Sequence, residues 1–291
     1  MIEFKHEDYP ALYQAADKVS NDIQATYMNL MRWNIFLLIT AAIFSFIGIT
    51  STIMAIFAAI IFIITIIINV VLMTKNYHDI WYKARSIAES IKTVSWRFMM
   101  KAEPFSLTEQ ENNEKFRNII NKILQGTSNI TEKFDAKYHS MPLITTNMNK
   151  VIKSTIEDKI LIYLTYRIQE QRNWYAKKTK YNQFWYKFWF FIMIILQIAA
   201  ITIVLSRIAY PEIKYLSPEI LSVMITGILT WIQLKKYREL SASYSFTAHE
   251  IGIIESKIAT VSSSSELSRF VQDAENAFSR EHTQWVARKD H

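Results

Sequence analysis

Between Arg32 and Lys75 the chain runs for 42 residues without one Asp, Glu, Lys, Arg or His. A helix crossing the hydrocarbon core of a bilayer needs roughly 20 apolar residues, so this run fits two passes joined by a tight reversal. The reversal belongs at Gly48 to Thr52, where the only glycine of the stretch meets a polar cluster. A soluble helix of that length would be apolar on every side and would need covering all round. The run is therefore a transmembrane hairpin, with spans at about 33–50 and 53–74.

A second hairpin follows the same logic. Phe188 to Ser206 is uncharged between Lys187 and Arg207, and Ile220 to Leu234 is uncharged between Glu219 and Lys235. The latter covers only about 22 Å as a helix, but Tyr215 to Pro218 lengthens it, with Pro218 suited to a first helical turn. Spans are expected at about 188–206 and 217–234; a re-entrant or interfacial helix is the other reading of the last one. Four spans place 31 of the 33 Lys and Arg on one side, with only Arg207 and Lys214 opposite. The positive-inside rule makes the rich side cytoplasmic. Both termini then lie in the cytoplasm, and the net charge of +7 belongs to that face. Trp33, Trp185, Trp189, Trp231 and Tyr237 fall at the inner ends of the spans, and Tyr210 and Tyr215 at the outer loop, as interfacial aromatics do.

Four glycines and five prolines in 291 residues leave little material for β-turns, so the expected class is an all-α membrane protein. The absence of cysteine excludes disulfides, thiolate metal sites and a cysteine nucleophile. The charged start, Met1 to Pro10, is no cleavable signal, and the first hairpin itself would direct insertion. The six histidines, at 6, 78, 139, 249, 282 and 291, show no metal-ligand spacing. His249 lacks the second histidine of a zinc-protease motif, Glu281 and His282 are adjacent and point apart on a helix, and no glycine loop could cradle a phosphate. No enzyme, no cofactor and no metal are expected. Nucleic acid is not an expected partner either, because membrane orientation already accounts for the positive charge.

Long amphipathic helices frame each hairpin. After the first, Trp81, Ala84, Ala88, Ile91, Ser95 and Phe98 form a 3-4 seam that ends near Pro104. A further helix is expected near Glu109 to Leu124. The order helix, hairpin, helix occurs twice, in residues 1–124 and 151–291 around a polar linker at 125–150, so the repeat is parallel rather than inverted.

The segments "YRIQEQRNWYAKK" (166–178) and "FVQDAENAFSREHTQW" (270–285) resemble one branch of the SLATT family, and "WYKARSIAESIKTVSWRFMMKAEPF" (81–105) resembles another. SLATT domains are two-span membrane modules of bacterial conflict systems, encoded beside nucleotide-second-messenger synthases or nucleotide-sensing domains. The resemblance implies two such units in tandem. It also implies an anti-phage effector of the inner membrane, a pore or channel that permeabilises it on a cytoplasmic signal. That signal would be a cyclic nucleotide or a cytosolic sensor protein.

Ser222, Thr226, Thr230, Gln233 and Tyr237 share one face of the last span, with Gly227 beside them, and could line an aqueous path if several copies met at an axis. Their blander role is bonding to their own backbone or to neighbouring helices. Thr65 and Asn69 make a shorter stripe in the second span, and Gln197 is an isolated polar residue in the third. No charge is embedded in any span, which leaves out proton relays and voltage sensing, so the pore would be neutral and gated by dewetting. The basic residues Lys83, Arg85, Lys92, Arg97, Lys101, Arg167, Arg172, Lys177, Lys178 and Lys180 flank the hairpins and suit anionic lipid; the other reading is a nucleotide phosphate or an acidic partner. Arg85 and Glu89 are spaced for a surface i,i+4 pair. If signals pass through these helices, the SLATT-like positions Arg85, Glu89, Lys92, Arg167 and Trp174 would carry them. A homo-oligomer is expected, since four spans enclose no conduit alone and exposed seams want partners. A non-conducting scaffold that anchors a cytosolic partner is the rival reading; a transporter is disfavoured by the parallel repeat and the lack of intramembrane charge.

Overall fold

A computed structural model describes residues 2–126, 128–212 and 217–287. Lys214, Tyr215 and His291 lie outside the described residues, as do the side chains of Glu281, His282 and Trp285. The structure is 85% helical with no strand among the described residues. Its helices are α1 (Ala11–Ile47), α2 (Thr52–Lys75), α3 (Tyr77–Met99), α4 (Glu109–Gln125), the single turn α5 (Ser128–Thr131), α6 (Thr146–Lys153), α7 (Ile156–Tyr163), α8 (Glu170–Ala209), α9 (Pro218–Lys235), α10 (Tyr237–Ser256) and α11 (Ser264–Ala287). A π-helical segment, Leu164–Gln169, lies between α7 and α8. The chain divides into two compact units: unit 1 is Met1–Gln24, Tyr77–Ala176 and Ser245–His291; unit 2 is Ala25–Asn76 and Lys177–Tyr244.

Unit 1 has a packed aromatic and aliphatic core. Ile91, Trp96, Phe105, Phe116, Met148 and Tyr163 are fully buried, each worth about 1.5–3 kcal/mol of transfer free energy. Phe98 stacks on Phe116 with centroids 4.4 Å apart. The seam predicted on α3 is filled from the same chain: α11 lies along it, with Val271 and Ala274 fully buried. That seam therefore no longer argues for a second copy. The connection at 125–150 is tied to the N-terminal segment, because Thr145 Oγ1 donates to the Asp8 carbonyl at 2.6 Å and Asn147 Nδ2 to the Asp8 carboxylate at 2.9 Å. Side-chain caps begin its helices, with Thr108 and Glu111 forming a capping box at α4 and Thr145 and Thr155 capping α6 and α7; each satisfies a backbone donor that the first turn leaves open.

Unit 2 is built the other way round. Its large apolar side chains point outward: Ile66 is 60% exposed, Phe191 64% and Ile198 59%. Three stretches, within Ala11–Ile47, Thr52–Met99 and Ile156–Ala209, are long and apolar enough to cross a membrane by length and composition. The fourth predicted span coincides in sequence with α9, which is not among those three; its 18 residues extend about 27 Å against a core of about 30 Å. At the first reversal, a Cβ on Gly48 would lie 2.9 Å from the backbone of Ala55, so the close approach of α1 and α2 requires glycine there. On α9, a Cβ at Gly227 would lie 2.9 Å from Ile35 of α1. Both hairpins are entered on long helices, α1 and α8, that contribute residues to both units. Both are left through a residue in the left-handed region, Asn76 (φ 46°) after α2 and Lys236 (φ 47°) after α9. Such residues end a helix by turning the chain away from its axis.

Candidate functional site

Glu275 of α11 is the centre of unit 1. Its side chain is completely buried, and a buried carboxylate persists only when its lone pairs are met. Arg167 meets two of them in a fork: Nε donates to Oε1 at 2.8 Å and Nη2 to Oε2 at 2.6 Å. Tyr163 Oη donates to Oε1 at 3.0 Å and Thr93 Oγ1 to Oε2 at 2.9 Å. The clasp thus joins α3, α7, the π segment and α11. Arg167 lies in the π segment, a local widening of the helix that often marks functional positions. Its guanidinium sits 4.6 Å from the Phe278 ring centroid, and its Nη1 is buried with no hydrogen-bond partner. Burial works against the Arg167 charge, but Glu275, Tyr9 and Tyr163 together outweigh it and hold the group protonated.

Around this clasp lies a second layer. Trp96 Nε1 donates to Tyr9 Oη at 2.8 Å, and Lys92 places its ammonium 5.8 Å from the Tyr9 ring centroid. Burial, and then the Arg167 guanidinium, lower the Lys92 pKa, with Glu89 and Glu170 opposing. Arg85 pairs with Glu89 and, at 3.2 Å, with Asp17 of α1; Asp17 also accepts from His6. Burial raises the Tyr9 and Tyr163 hydroxyls well above the usual phenol range, with Glu275 adding to it at Tyr163. Both stay protonated, Tyr163 donating to Glu275 and Tyr9 accepting from Trp96. The assembly offers charge-assisted bonds between helices and nothing resembling a nucleophile beside a base. Chemically it is a clasp.

Of the five signalling positions read from the sequence, Arg85, Glu89 and Arg167 each act electrostatically on Lys92. Trp174 stands outside that group, on α8, its ring 5.0 Å from Tyr175. Glu275, Tyr163, Thr93 and Asp17 were not among the predicted residues. One signal for Glu275 existed: it interrupts the apolar face formed by Val271, Ala274 and Phe278, and a charge on a buried face asks for a partner. Several basic residues expected to face lipid have protein partners: Lys83 with Asp79, Arg97 with Asn276 and Arg172 with Glu255.

In unit 2 the stripe on α9 is exposed at Ser222, Thr226, Thr230 and Gln233. The hydroxyls of Ser222, Thr226 and Thr230 donate to the carbonyls four residues earlier, at 2.9–3.0 Å, which leaves their oxygen lone pairs outward. Thr65 is buried and bonds the Phe62 carbonyl. Asn69 accepts from Asn34 Nδ2 at 2.9 Å, so it ties the first hairpin together.

Residues 10–160 match the family of SMODS and SLOG-associating 2TM effector domain 3, and residues 163–285 match SMODS and SLOG-associating 2TM effector domain 1. Only residues 161 and 162 separate the two matches. No curated protein and no solved structure matches the chain.

Proposed function

With two SLATT domains in tandem over nearly its whole length, the chain belongs to the SLATT family and is a membrane protein of the effector type, and we propose that it forms an oligomeric pore in the bacterial inner membrane. Unit 1 then lies in the cytoplasm with both termini and receives a cyclic nucleotide or a sensor protein. The observation that carries the pore reading is the uncovered stripe Ser222, Thr226, Thr230 and Gln233 on α9. It is a neutral polar face on a helix otherwise suited to lipid, and several copies facing one axis would line a path for water. The signal reaches the spans through α1 and α8, which contribute residues to both units.

The test is flux from liposomes that hold the purified full chain. A pore releases a trapped ion or dye, spontaneously or when a cyclic nucleotide or the partner is added, and Thr226→Leu with Thr230→Leu reduces that flux at least tenfold at equal incorporation. Liposomes that stay tight with every added ligand would instead favour a non-conducting membrane scaffold.

A further inference from the structure

Unit 2 carries a concentration of charge that neither the clasp nor the pore uses. At the open ends of its hairpins the sequence has nine Lys and Arg and a single acid, Glu239. This surplus exceeds the +7 of the whole chain, because the charges of unit 1 sum to −1. The positive excess is thus confined to one rim of the membrane unit.

Two of these cations come from different helices and converge on one ring. Arg32 of α1 places its guanidinium carbon 5.6 Å from the Trp231 ring centroid, and Lys235 of α9 places its ammonium 5.0 Å from the same ring. Arg32 also acts electrostatically on Lys235. Among the described residues no ion pair joins Arg32 or Lys235 to a carboxylate. The hydrogen bond of Arg32 among the described residues goes to the neutral Asn29. The indole of Trp231 steadies two cations, but their mutual repulsion remains. An arrangement of like charges held by separate helices calls for an anion.

We propose that Arg32 and Lys235, organised around Trp231, bind the headgroup phosphate of an anionic phospholipid. Depth selects lipid over a soluble anion. Arg32 directly precedes the first apolar run and Lys235 directly follows the last, which sets both at headgroup level. Exposed Trp33 (59%) and Phe184 (61%) supply the aromatic belt found there. A basic site between transmembrane helices at this level is the usual form of a headgroup pocket.

The purified full chain, in neutral detergent, is titrated with phosphatidylglycerol or phosphatidylcholine, and retained lipid is counted by native mass spectrometry. The wild type retains phosphatidylglycerol about tenfold better, in keeping with the attraction of a few surface cations for anionic lipid. Arg32→Gln with Lys235→Gln brings the two lipids within twofold, while Lys235→Arg keeps the preference. Equal retention by the wild type overturns the proposal, and so does a preference that survives in the neutral pair. Inorganic phosphate that displaces phosphatidylglycerol at millimolar concentration overturns the lipid assignment in favour of a soluble anion. If the double variant does not fold, Lys235→Gln alone is scored by the same criteria. None of these outcomes depends on whether the protein conducts.

Discussion

Ile91 and Ile66 carry the same side chain into opposite surroundings. In unit 1, Ile91 is completely covered; in unit 2, Ile66 is 60% exposed. The same inversion holds for charge. Unit 1 buries an arginine and a glutamate together, whereas the spans of unit 2 carry no charge. Two units of similar helical content are therefore built for two solvents. Water drives apolar groups inward in unit 1, and in unit 2 lipid leaves them nothing to avoid.

The largest break in that contrast comes from Glu275→Ala. It strands Arg167 in the interior without its carboxylate, and a broken buried pair costs about 3–5 kcal/mol. Thermal unfolding in detergent, followed by circular dichroism, should show unit 1 losing structure first, with its α11 becoming sensitive to limited proteolysis. A melting curve identical to wild type would mean that the clasp carries no stability.

The next test uses one substitution in two places. Leu107 in unit 1 and Ile63 in unit 2 are both more than half exposed. Leu107→Lys should be neutral within about 0.5 kcal/mol, while Ile63→Lys near the middle of α2 should oppose insertion by about 2.5–3.5 kcal/mol. The fraction of protein recovered in membranes separates them; equal recovery would remove the distinction between the units.

A smaller effect is expected at the hairpin's polar tie. Asn69→Ala removes the bond from Asn34 and should cost about 1 kcal/mol, read as a lower unfolding temperature in detergent. The smallest concerns the cap of α11. Ser263 Oγ accepts from the Glu266 backbone N–H, and the Glu266 carboxylate accepts from the backbone and hydroxyl of Ser262 and the backbone of Ser263. Ser263→Ala should cost about 0.5 kcal/mol. The backbone N–H and hydroxyl of Ser262, then Ser263, hold Glu266 at about 2. Its folded value is depressed, so its contribution is complete above the ordinary carboxylate range, near 4.3, and fades as pH falls towards 2. Acid unfolding of a Glu266→Gln variant should lack that component.

The membrane half of this architecture was legible in the sequence because its signal is additive. Forty-two residues without a charge admit few folds, and Gly48 marked the reversal. The interior of unit 1 was legible only in part. The α3 seam was visible, yet its partner lay more than 160 residues away in α11, and nothing in the spacing of Trp81 to Phe98 tells an intramolecular neighbour from a second copy. Arg167 was singled out by resemblance, but Glu275 was not, since pairing across the chain is a property of packing. Pairing also hid the role of the basic helices: Lys83, Arg85 and Arg172 read as lipid contacts in the sequence, and the structure pairs them with Asp79, Asp17 and Glu255.

The central claim is that the apolar helices of unit 2 are dissolved in lipid, and the proposed topology puts the first hairpin turn and Lys133 on opposite faces of the membrane. The chain has no cysteine, so single substitutions report cleanly. Ile49→Cys lies at the first hairpin turn and Lys133→Cys on the surface of unit 1. In spheroplasts, a membrane-impermeant maleimide should label the first at once and the second only after the membrane is opened. Labelling of both before permeabilisation, or of Lys133→Cys alone, would contradict the account.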